Sequence, residues 1–85
     1  MEPEQVYIHL KAIWEKLGVE VREQALSYEL GKAKGGLVRL GEKKIFFIER
    51  SLSLQEKIEL MLNELQEQKL DEIYIPPYLR KMIEK

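Results

Sequence analysis

The sequence predicts an α+β domain: a small antiparallel sheet packed against two main helices, with a short C-terminal helix. Two apolar stripes at helical spacing and one glycine-centred pair of alternating segments carry that expectation. The length of 85 residues suits one domain, read as residues 1–85.

The first stripe is Val6, Leu10, Ile13 and Leu17, at spacings of four, three and four. Pro3 stands where a first helical turn tolerates proline, and Gly18 stands where a helix end favours positive φ. Helix 1 is expected over about 3–17. Val19-Glu20-Val21-Arg22 then alternates with period two, predicting a strand over about 19–23. Residues 24–36 read either as more strand or as a helical turn, ending in a glycine-rich bend.

Leu37-Val38-Arg39-Leu40 and Lys44-Ile45-Phe46-Phe47-Ile48-Glu49 flank Gly41-Glu42-Lys43. A connection of that length containing glycine predicts a β-hairpin over about 37–49. Ser53-Leu54-Gln55-Glu56 has the form of a capping box. Leu54, Ile58, Met61, Leu62 and Leu65 continue it at helical spacing, so helix 2 is expected over about 53–68. Ile73-Tyr74-Ile75 suggests a last short strand, broken by Pro76-Pro77. Pro77 then opens a short helix with Tyr78, Leu79, Met82 and Ile83.

Composition excludes several function classes. The net charge of −1 creates no global attraction to nucleic acid or anionic membrane. The apolar run Ile45-Phe46-Phe47-Ile48 falls far short of the ~20 residues that span a bilayer. Met1-Glu2-Pro3-Glu4 is acidic and lacks the apolar segment of a signal peptide, so a cytoplasmic location is expected. Without cysteine there is no disulfide framework, thiolate metal site or cysteine nucleophile. Fourteen Glu and ten Lys against one Asp, one Asn and no Thr match the bias of thermophilic proteins.

Several groupings invite a functional reading. His9 lacks the neighbouring nucleophile or acid that a general base needs, and reads as a boundary residue. Lys32, Lys34, Arg39, Lys43 and Lys44 form a basic stretch able to contact a phosphate backbone. Lysines also keep exposed strand edges from pairing, and that reading is preferred. Glu64 and Glu67 lie three apart on helix 2 beside Asn63, a spacing that shares a helix face. Trp14, Tyr74, Tyr78, Leu79 and Met82 supply apolar and aromatic area for an interaction surface.

The order of features brings in two resemblances. Gly18-Val19-Glu20-Val21, the glycine-rich turn, the hairpin and the helix bearing Asn63-Glu64-Leu65-Gln66-Glu67 resemble the N-terminal half of ImmA/IrrE-type metallopeptidases. In that register, Asn63 and Glu67 stand where the family carries its zinc histidines, and Glu64 where it carries the catalytic glutamate. The zinc motif is thus degenerate, and the resemblance implies topology without peptidase activity. Gly35-Gly36-Leu37-Val38-Arg39-Leu40, the Leu52-Ser53-Leu54-Gln55-Glu56 helix start and Ile73-Tyr74-Ile75-Pro76-Pro77-Tyr78-Leu79-Arg80 are similar to a family of small uncharacterised bacterial proteins. That likeness implies a fold and no function.

The sequence therefore reads as a non-enzymatic domain without cofactor or metal, built for protein–protein contact and expected to form a homo-oligomer. A nucleic-acid-binding hairpin and an inactive metallopeptidase-like domain are the alternatives.

Overall fold

The computed structural model describes residues 2–26 and 34–84. Among them the elements run α1 (Pro3–Lys16), β1 (Val19–Gln24), β2 (Gly35–Leu40), β3 (Lys43–Glu49), α2 (Leu54–Leu65) and α3 (Pro77–Glu84). The α+β class, the hairpin, both main helices and the C-terminal helix are as the sequence predicts. Of the ambiguous segment 24–36, residues 27–33 lie outside the described residues.

The sheet has the order β1-β3-β2 and is mixed, not wholly antiparallel. β2 and β3 form the expected antiparallel hairpin, in register from Gly35↔Ile48 to Leu40↔Lys43. Gly41, at φ +64, supplies the positive φ that its turn needs. β1 instead lies parallel to β3, from Val19↔Lys44 to Gln24↔Glu49. The reason is apolar content. Ile45-Phe46-Phe47-Ile48 carries apolar side chains on both faces, so it takes the centre, and the two less apolar strands take the edges. β1 therefore ends, and β2 begins, beside the C-terminal end of β3. Both neighbours bond to that end, where Glu49 N–H donates to Lys34 O (2.8 Å) and Arg50 N–H to Gln24 O (3.1 Å).

Glu49 ties this end of the sheet together. Its carboxylate accepts from the backbone N–H groups of Leu26 and Ser51, both at 2.8 Å. Those bonds hold its pKa down to about 2. Gly35 allows the close approach of β2. A Cβ there would stand 2.0 Å from the Phe47 carbonyl oxygen, and the residue sits at φ +147.

The helices cover one face of the sheet. Val6, Leu10, Ile13 and Trp14 of α1 join Ile58, Met61, Leu62 and Leu65 of α2, and Leu79 and Ile83 of α3, over Val19, Phe46 and Ile48. Trp14 and Phe46 pack with ring centroids 4.8 Å apart at 45°, within the range favoured by aromatic pairs. The Trp14 Nε1–H is buried there without a hydrogen-bond partner among the described residues. At the margin, Glu23 ties the sheet to both helices, accepting from Tyr7 of α1 and from Lys57 Nζ of α2 at 2.6 Å. Burial opposes the ionisation of Glu23, and these two bonds outweigh it, so its pKa is lowered. Burial first, and then Glu23, raise the Tyr7 phenol above its ordinary range.

Two boundaries differ from expectation. α2 opens with the predicted capping box, in which Ser53 Oγ accepts from Glu56 N–H and the Glu56 carboxylate accepts from Ser53 N–H. It ends at Leu65, because Glu67 N–H and Gln68 N–H turn back to carbonyls three residues earlier and tighten the chain. Residues 73–75 form no strand. Their alternation instead reflects an irregular segment that buries Ile75 in the core and turns Tyr74 to solvent.

Candidate interaction surface

Alternation along the strands leaves one sheet face uncovered. Phe46 and Ile48 point to the helices, so Ile45 and Phe47 point away. On the neighbouring strands the same face carries Glu20 and Arg22 of β1, and Gly36, Val38 and Leu40 of β2. No described element covers these residues, and the molecule is only 19 Å thick along its short axis.

This open face has two halves. The β1 half is charged: Glu20 accepts from Arg22 and pairs with Lys43 at 3.2 Å. Arg22 and then Lys43 lower the Glu20 pKa. The β2 half is apolar. Val38 and Leu40 are 38% and 58% exposed, although both are aliphatic. They border a groove of about 430 Å³ with Leu26, Gly35, Gly36 and Phe47. The two glycines leave its floor without side chains. Ile45 is buried on this face, outside the core cluster under the helices. Gln24 is the one polar side chain in the groove lining, so the groove offers apolar contact and no acid–base pair.

The predicted aromatic surface divides. Trp14 and Leu79 are fully buried core residues, because the helical stripes that contain them face the sheet, and neither offers surface to a partner. Met82 is half-buried against the same core. Tyr74 and Tyr78 are exposed. Tyr78 OH lies 2.7 Å from His9 Nδ1, beside a shallow pocket of about 220 Å³ lined by His9, Lys16, Tyr74 and Pro76. His9 thus has a partner that sequence spacing does not reveal, since sixty-nine residues separate the two.

The predicted basic stretch does not form one continuous patch among the described residues. Lys43 turns to Glu20, and Lys34 lies 3.8 Å from Glu56. Arg39 and Lys44 are paired across the hairpin, and Arg39 Nε donates to Gly41 O. Lys32 lies outside the described residues. On α2, Asn63 and Glu64 occupy the last turn, while Glu67 falls beyond the helix end. Among the described residues, no three His, Asp or Glu side chains are grouped to hold a metal ion. No described helix is long and apolar enough to cross a membrane.

The residues that line the groove were missed as a surface because the hairpin's alternation reads as one buried face. The available signal was Val38 and Leu40: with Leu37 on the covered face, β2 is apolar on both sides. No protein-family model, curated protein or solved structure matches this chain.

Proposed function

We propose that this chain is a non-enzymatic interaction domain that associates through the β2 side of its sheet. The observation that carries this reading is the apolar half of the open face, where Val38, Leu40 and Phe47 border a groove with a glycine floor. Solvation of such a strip is unfavourable, and burying it recovers roughly 25 cal/mol per Å².

The nucleic-acid reading is weaker, because carboxylates stand beside Lys34 and Lys43 and offset the charge a phosphate backbone would meet. The test is sedimentation velocity over a hundredfold concentration range. The expected result is a sedimentation coefficient that rises with concentration, and a double variant, Val38→Lys with Leu40→Lys, that stays monomeric with an unchanged thermal melt. A wild-type chain that remains monomeric throughout would remove the self-associating reading.

A further inference from the structure

We infer that two copies of this chain pair through β2, antiparallel and edge to edge, about a two-fold axis at Leu37. The inference rests on the interaction reading above and specifies its partner, edge and register. The pairing would join two three-stranded sheets into one.

The backbone sets the register. Glu49 N–H donates to Lys34 O, so residue 34 and every second residue after it direct their backbone groups inward to β3. Gly35, Leu37 and Arg39 therefore direct N–H and C=O outward, along an edge that no described strand pairs with. An antiparallel copy meets all of these groups when Leu37 faces the partner's Leu37 and Gly35 faces the partner's Arg39. Each of the three pairs then exchanges two hydrogen bonds. β2 carries little of the usual protection of an edge strand: it holds no proline and no lysine, and its one charge, Arg39, lies near the hairpin tip.

Side-chain size and charge fit that register. On the open face Val38 falls opposite the partner's Gly36, large against absent, and Leu40 falls opposite the backbone of the partner's Lys34, whose side chain turns to Glu56. The apolar side chains of one copy thus cover the glycine floor of the other's groove. On the helix face, Arg39 lies over the partner's Gly35, on the side where Glu56 opens α2 and already draws Lys34. At the hairpin tip Glu42 extends one diagonal step past the partner's Lys34. Among the described residues, each end of the interface therefore brings a cation near a carboxylate. Because both contacts repeat through the two-fold axis, the assembly closes as a dimer.

The cysteine-free background allows a direct test. Between copies, Gly36 and the partner's Val38 form a non-hydrogen-bonded pair, for which a Cα separation of about 4.5 Å suits a disulfide. Both positions face solvent in the single chain, and a Cβ at Gly36 meets nothing within 4 Å, so both cysteine variants should fold. Gly36→Cys and Val38→Cys, mixed and oxidised, should form a covalent heterodimer at least tenfold faster than either alone. Arg39→Cys should not cross-link. Arg39→Pro deletes one outward N–H and leaves the hairpin bonds at positions 38 and 40 intact; it should weaken association at least tenfold, with far-UV circular dichroism confirming the fold. If the wild type associates, and Val38→Lys with Leu40→Lys prevents it, while the cysteine pair stays uncoupled and Arg39→Pro associates normally, edge pairing is overturned and the interaction reading stands. A wild-type monomer overturns both.

Discussion

Replacing Gly35 by alanine tests the closest approach in the sheet. A Cβ at this position would stand 2.0 Å from the Phe47 carbonyl oxygen, 3.0 Å from its carbon and 3.1 Å from Ile48 Cα. All three are backbone atoms of the central strand, so no side chain can rotate away. The residue also sits at φ +147, a region that alanine occupies at a cost of about 1–3 kcal/mol. Forcing the strands apart adds about 1–3 kcal/mol of overpacking. The expected loss is therefore about 4 kcal/mol, out of roughly 4–13 kcal/mol for a domain of this length. Gly36→Ala is the control, because its Cβ has open space. Urea unfolding, followed by Trp14 fluorescence and far-UV circular dichroism, gives the comparison. With a slope of roughly 1–2 kcal/mol per molar, the Gly35→Ala midpoint should fall by about 2–4 M. Gly36→Ala should move by about 0.5 M or less. If the two midpoints agree within about 0.5 M, β2 does not approach β3 as described.

Three further outcomes follow from named contacts. The Glu49 carboxyl titrates near pH 2 in the folded chain against an ordinary 4.5, so its contribution is present above the ordinary value and is lost as pH falls from about 5 to 2; Glu49→Gln should flatten that part of the stability–pH curve, and an unchanged acid limb would contradict the clamp. Trp14→Phe leaves a small cavity but removes a buried N–H that has no partner among the described residues, so it should cost about 1 kcal/mol or less in thermal unfolding, whereas Trp14→Ala should cost about 3–5 kcal/mol. Ser53→Ala deletes one half of the capping box and should cost about 1 kcal/mol in the same assay, and no loss would mean that the cap is not formed in solution.

The elements that were legible in the sequence are those specified by local chemistry. The helical stripes of Val6–Leu17 and Leu54–Leu65, the Ser53–Glu56 cap and the Gly41 turn each need only neighbours a few residues away. What escaped is what depends on distant partners. The parallel placement of β1 follows from β3 claiming the centre, and nothing within Val19–Gln24 signals it. Trp14 belongs to the core for a similar reason, since its burial depends on Phe46 thirty-two residues later. Tyr74 and Ile75 alternate like a strand but have no strand to pair with. The candidate surface was half legible: the sequence indicates apolar content beyond what one core needs, but only the sheet's geometry separates Val38 and Leu40 from Leu37.

The parallel pairing of β1 with β3 also sets an order of assembly. In the hairpin, paired residues are three apart at the turn and thirteen apart at Gly35↔Ile48, so contacts can zip outward from Gly41, each shortening the search for the next. Between β1 and β3 every pair is separated by the same twenty-five residues. No nearby nucleus exists there, and the full closure entropy falls on whichever contact forms first. β1 precedes both other strands in the chain, and the hairpin, with its shorter loops, is expected to form before β1 docks on β3. Folding speed should therefore respond to changes in the hairpin turn, while changes in β1 should act mainly on unfolding.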